Sequence, residues 1–317
     1  MLIFKISFTP KFHKMNQCIT YVCLLMASAL MSSCSSCQNE SKQEKISTII
    51  PKSGKKDNLN ISILLDLSDR ISPQKHPNPS MEYAKRDVGY IQAIAKGFEK
   101  HIRSKPIIQD NDHIQVYFEP EPLNLKINDL AKNLKFSFTK DNASKAEIVK
   151  IVPQYTSTSK EIYNLAISSK AYVGSDIWGF FKDKVEDYCV KPGHRNILFI
   201  LTDGYMFHQD SKFVEGNRSS YLTPELVRSL KLNTSKFKDI IVKNGYGFVR
   251  ANDNLSNLEV VVLGINPAKG NPFEGDVIEQ YWVNWLKEMK VKEPVLKPIS
   301  ADLPSNIDPI IQKLILQ

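Results

Sequence analysis

The chain has 317 residues, of which 42% are hydrophobic, with 42 lysines and arginines against 34 aspartates and glutamates. The formal charge of +8 is scattered apart from Lys52, Lys55 and Lys56, so it gives little support for nucleic-acid or membrane-surface binding. Five cysteines without a framework spacing exclude a disulfide-stapled fold, and six histidines that never share zinc spacing with them exclude a soft-ligand metal cluster.

The first segment has the order of a secretory signal. Lys5, Lys11 and Lys14 precede an apolar stretch from Cys18 to Met31, which the small residues Ser32 and Ser33 close. The stretch is short for a membrane span. Leu30-Met31-Ser32-Ser33-Cys34 resembles a bacterial lipobox, which implies cleavage before Cys34 and its lipidation, with Cys37 as the alternative acceptor. Met15 also opens a complete, compact signal, so either Met1 or Met15 serves as the start. Loss of residues 1–33 removes three lysines and no acidic residue, which lowers the formal charge from +8 to +5. Ser35 after Cys34 lacks the aspartate associated with inner-membrane retention, so the expected location is the bacterial cell envelope, at the outer membrane.

Residues 34–58 are rich in Lys, Glu, Ser, Gln and Asn and read as a flexible tether. Residues 59–317 form the folded body, long enough to bury a full core. Ile61 to Asp66 is a continuous apolar run of the kind found in parallel strands covered on both faces. Ser80 is placed to cap a helix in which Met81, Ala84, Val88, Ile91, Ala95, Phe98 and Ile102 form one apolar face. Ile114 to Phe118 and Leu134 to Phe138 read as strands, the latter at a sheet edge, and Lys160 to Lys170 as a helix.

Gly174-Ser175-Asp176 opens a helix carrying Ile177, Trp178, Phe180 and Phe181, and Asn196 to Thr202 is a second buried strand ending in Asp203-Gly204. A polar and aromatic excursion to about Asn257 follows, with helices from Pro224 to Leu232 and from Phe237 to Val242. Leu258 to Ile265 is a buried strand and Asp276 to Met289 an amphipathic helix, while Asp308-Pro309 reads as the start of the closing helix. The alternation predicts an α/β fold: a doubly wound, mostly parallel sheet flanked by helices, in a single domain.

Asp66-Leu67-Ser68-Asp69-Arg70 after one strand, Gly174-Ser175-Asp176-Ile177 before a helix, and Leu201-Thr202-Asp203-Gly204 after another strand are similar in order and spacing to the von Willebrand factor A domain. The resemblance covers most of the chain after about Leu59. It implies a metal-ion-dependent adhesion site built from an Asp-x-Ser-x-Ser motif, a threonine and a further aspartate. Carried over, Asp66 matches the first aspartate, Ser68 the first serine, Ser175 the threonine and Asp203 the last aspartate. The cofactor implied is Mg2+ or another divalent cation, with Asp69 and Asp176 as water-mediated partners. Arg70 replaces the second serine, so either it points away or it stands in for the cation by pairing with Asp66 or Asp203.

This reading gives a non-enzymatic, lipid-anchored module that binds a protein partner and no nucleic acid. Two alternatives compete with it: a phosphatase-type metal-assisted hydrolase with Asp66 as nucleophile or ligand, and a metal-free scaffold in which Arg70 neutralises the crevice. A haloacid-dehalogenase-like site needs an aspartate where Ser68 stands. Lesser residues have ordinary readings. Asp69 and Arg70 form a local surface ion pair, Ser175 or Asp176 caps a helix, His208 beside Asp210 is solvated, and Cys189 is a small buried apolar residue. Tyr205, Met206 and Phe207 either line a partner surface or cover the sheet top.

Overall fold

Apolar runs that alternate between two faces build the centre of the molecule. In the computed structural model, strand β1 (Asn58–Leu65) pairs in parallel with β2 (Asn111–Tyr117) and with β4 (His194–Leu201), and β4 pairs with β8 (Leu258–Leu263). The short β9 (Val295–Lys297) adds to β8 in parallel, and β3 (Phe136–Thr139) lies antiparallel to β2 at the other edge. The six-stranded order is β3-β2-β1-β4-β8-β9. The structure describes residues 56–170, 172, 174–292, 295–297 and 303–317. The signal, the lipidation cysteine Cys34 and nearly all of the tether lie outside the described residues. Gly54 to Gln317 form one compact unit.

Both faces of the sheet are covered, which is why the central strands read as nearly continuous hydrophobic stretches. Ile61, Ile63, Leu65, Ile197, Phe199, Leu201 and Val261 turn towards one core, shared with helices α1 (Tyr83–Arg103), α4 (Ile151–Ser169) and α10 (Pro304–Leu316). Leu64, Leu198, Ile200, Val260 and Val262 turn the other way, against α5 (Ile177–Asp183), α6 (Val185–Cys189) and α9 (Glu274–Glu288). Each fully buried aliphatic or aromatic side chain here contributes about 1.5–3 kcal/mol, so the two cores dominate the stability of the sheet.

Several boundaries differ from the sequence expectation for local reasons. Helix α1 begins at Tyr83 rather than after Ser80, because the Asn78 side chain accepts from the Ser80 and Met81 amides and makes its own turn first. Helix α4 starts nine residues before Lys160, at Ile151, since Pro153 falls in its first turn, where a missing N–H costs nothing. Helix α10 starts at Pro304, so Pro309 lies inside it instead of opening it. Helix α9 starts at Glu274, two residues before Asp276. Helix α2 (Leu125–Lys132), capped by Asn124, has one buried residue, Ile127, and therefore no apolar stripe to read. A short α3 (Lys145–Ile148) precedes α4.

The excursion after β4 forms a small second sheet of β5 (Val214–Glu215), β6 (Arg218–Ser219) and β7 (Gly247–Phe248), with α7 (Pro224–Ser229) and α8 (Phe237–Asn244) between the last two strands. The indoles of Trp178 and Trp285 both donate to the Val249 carbonyl, at 2.8 and 2.9 Å, and tie this region to the body.

Candidate functional site

Parallel strands β1 and β4 end side by side, with Leu65 opposite Leu201, and the chain is held together one residue further by the Asp66 amide donating to the Leu201 carbonyl at 3.1 Å. Open α/β sheets place their crevice at such strand ends. A cleft of about 370 Å³ lies there, lined by Asp66, Ser68, Asp69, Ser175 and Asp203 together with Lys75, Lys170, Tyr172, Tyr205 and Phe207. The oxygen-bearing residues of three separate loops thus share one space.

Asp66 is 3% exposed and fully engaged. Its Oδ1 accepts from the Ser68 amide at 2.9 Å and its Oδ2 from the Thr202 hydroxyl at 2.9 Å. Arg70 is buried behind it and does not line the cleft. The guanidinium Nη2 donates to the carbonyls of Asp66 and Leu201, both at 2.8 Å, and to Asp87 Oδ2 at 2.7 Å, while Nε lies 3.2 Å from Asp66 Oδ2. Burial opposes its charge, but Asp87 and then Asp66 more than offset this and raise its pKa. Arg70 therefore points away from the opening and at the same time pairs with Asp66. The expected surface pair between Asp69 and Arg70 does not form; Asp69 meets Lys75 at 2.9 Å in solvent instead.

Asp87 sits on α1 and also accepts from the Tyr163 hydroxyl at 3.1 Å and lies 3.4 Å from Arg86. Arg86, 1% exposed, donates to the Gly264 carbonyl at 3.1 Å and stacks over Tyr83 at 4.8 Å. Asp203 accepts from the Tyr205 amide at 3.0 Å. Burial and then the neighbouring Asp66 push its pKa up to about 7, against the pull of Arg70, the Tyr205 amide and Arg86.

The Ser175 hydroxyl is the unfinished element of the cleft. The residue is 6% exposed and its Oγ has no hydrogen-bond partner, although its backbone bridges to Phe207. Ser68, Ser175 and Asp203 are hard oxygen donors, the type that suits Mg2+ with waters completing the shell. Among the described residues no three His, Cys, Asp or Glu side chains group as metal ligands, so an ion here would depend on the hydroxyls.

Asp176 lies outside the cleft. Its Oδ1 caps α5 by accepting from the Gly179 amide at 2.9 Å and from the Ser211 hydroxyl at 2.7 Å. His208 is not simply solvated: its Nδ1 lies 3.7 Å from Asp176 Oδ2 and its side chain is 14% exposed. Cys189 is fully buried, and burial pushes its thiol up to about 12. Of the three apolar residues after Asp203, Met206 is buried, the Tyr205 hydroxyl donates to Glu274 at 2.8 Å, and Phe207 stays 42% exposed at the cleft.

Sequence reasoning missed Asp87, Arg86 and Thr202. One signal was present for Asp87. It falls three residues after Ala84 and four before Ile91, a charged residue in the middle of an apolar stripe, and such a position is occupied only when a buried counter-charge meets it.

No protein-family model matches the chain, and no curated protein matches it. Among solved structures it is similar to an aerotolerance-related membrane protein from Bacteroides fragilis, at 12% identity over 82% of this chain and 99% of that one, with a TM-score of 0.36. It is similar to the conserved hypothetical protein BatB from Bacteroides thetaiotaomicron at 13% identity, over 82% of this chain and 100% of that one, with a TM-score of 0.32. The pilus adhesin SpaC from Lactobacillus rhamnosus GG matches at 10% identity and a TM-score of 0.38, over 83% of this chain and 30% of that one.

Proposed function

We propose that this protein is a non-enzymatic binding module that engages a protein partner at the cleft above β1 and β4. The observation that carries the reading is the buried, unpartnered Ser175 hydroxyl facing the same cleft as Ser68 and Asp203, with the exposed Phe207 ring on its wall. Of the four expected ligands, Ser68, Ser175 and Asp203 are the residues that would hold a divalent ion such as Mg2+, whereas Asp66 already has both oxygens in hydrogen bonds to the Ser68 amide and the Thr202 hydroxyl. Such an ion would offer an open coordination position to an acidic group. The exposed aromatic supplies apolar area beside it. Anchoring through lipid on Cys34, at the envelope and on the outer membrane, belongs to the same proposal and rests on the lipobox resemblance alone. No helix among the described residues is long and apolar enough to cross a membrane.

A hydrolase reading fares worse. A haloacid-dehalogenase-like site needs an acid/base carboxylate where Ser68 stands, and both Asp66 oxygens are already held by the Ser68 amide and the Thr202 hydroxyl.

The test is co-purification from envelope extract with the wild-type chain and with Asp203→Ala and Phe207→Ala. A partner retained by the wild type and lost by both variants supports the reading. Recovery of the same proteins by all three, or turnover of phosphate esters that Asp66→Asn abolishes, overturns it.

A further inference from the structure

The position where the resemblance implies a second serine ligand holds a buried cation. We infer that Arg70 supplies from beneath the positive charge that a divalent ion would supply from above, so that the cleft holds such an ion only weakly and engages its partner without requiring one. The last clause rests on the cleft being the binding site; the rest does not.

Charge and acceptor capacity both lead there. Asp66 and Asp87 are buried against Arg70 and Arg86, and the half-buried Asp203 stands beside them on the cleft wall, so three carboxylates against two guanidiniums leave at most a single uncompensated negative charge. The other charged groups on the cleft wall change this little: Asp69 and Lys75 pair with each other, and Lys170 is exposed at the mouth. A divalent ion would carry the cluster past neutrality, and in a low-dielectric setting that excess is costly. Asp66 has also committed one oxygen to the Ser68 amide and the other to the Thr202 hydroxyl and Arg70. The donors that remain are the Ser68 and Ser175 hydroxyls and Asp203. Without Arg70 the same cluster would carry two negative charges, a match for Mg2+, and a serine at that position would add a hydroxyl.

The experiment is a titration of the full chain with Mn2+ alone, read by electron paramagnetic resonance of the free ion and by calorimetry. The wild type is expected to bind Mn2+ no tighter than roughly 1 mM, the weak end of protein cation sites. Arg70→Ser is expected to bind at least about tenfold tighter, and Asp87→Asn, which moves the cluster to neutrality, to bind more weakly than the wild type. Wild-type affinity in the micromolar range overturns the inference on its own, whatever the folding of the variants. Equal affinity of the wild type and a folded Arg70→Ser overturns it as well. Arg70→Lys, which keeps the charge, is expected to show no gain. The titration needs no partner, so loss of the partner-binding reading and loss of this one are separate results.

Discussion

Arg70 and Asp87 meet at 2.7 Å in a space closed to water, the arginine rising from the loop after β1 and the aspartate from the second turn of α1. The contact joins the floor of the cleft to the helix packed beneath the sheet. Each ion would be costly to bury alone, so each fixes the place of the other.

Removing one partner should therefore cost far more than removing both. Asp87→Ala is expected to lower the unfolding free energy by about 3–5 kcal/mol, because it strands Arg70 and the Tyr163 hydroxyl together. Arg70→Met with Asp87→Leu should recover at least half of that loss. Urea unfolding followed by tryptophan fluorescence decides it, and a double variant no more stable than Asp87→Ala would contradict the account.

At the opposite end of the sheet, Asp110 is 5% exposed and neither of its oxygens has a hydrogen-bond partner. Burial and then the charge of Asp112 push its pKa up to about 6, against the pull of Lys105 and His101. The folded protein then holds this proton more tightly than the unfolded chain. Its contribution is fully present below the ordinary carboxylate range and is lost as pH rises through about 6. Asp110→Asn should raise the melting temperature at pH 8 by roughly 2–4 °C and give no advantage at pH 4. Melts across that range check the sign.

Gly264 takes φ +93°, and a Cβ there would stand 2.6 Å from Arg86 Nη2 and 3.0 Å from the Thr202 carbonyl. Both the backbone and the space exclude a side chain. Gly264→Ala is expected to destabilise by about 2 kcal/mol or more, with the urea dependence unchanged. A neutral outcome would mean that the buried Arg86 moves freely.

Arg195 grips the end of the closing helix. It pairs with both Glu259 oxygens at 2.7 Å and donates to the carbonyls of Leu314 and Ile315 at 2.7 and 3.1 Å. Arg195→Ala should speed hydrogen exchange across α10 while leaving β1 and β4 protected. Unchanged exchange in α10 would show that packing on α1 holds the helix unaided.

The strands were legible because burial on both faces forces a nearly continuous hydrophobic run, as in Ile61 to Leu65, interrupted by the buried Ser62, and Ile197 to Leu201. Two loops of the cleft were legible because Asp66 and Asp203 stand just beyond those runs, and the third because Gly174-Ser175-Asp176 precedes the apolar start of α5. Other features left no local pattern. Leu125 is 75% exposed, so α2 has no stripe. Pro153 and Pro309 resemble breakers but are tolerated where they fall in α4 and α10. The partners of Arg70 lie 4, 17 and 131 residues away, a set that only the folded chain assembles.

One carbonyl, that of Val249, receives both indoles that fasten the small second sheet to the main body. The segment between Met206 and that carbonyl is thus pinned at its far end, and Leu222, Val227, Leu232, Phe237 and Ile241 sink its inner face into the same core as both indoles, so only its outer residues are at liberty to vary. Replacing its exposed residues Val214 and Val242 should leave the ionic floor undisturbed.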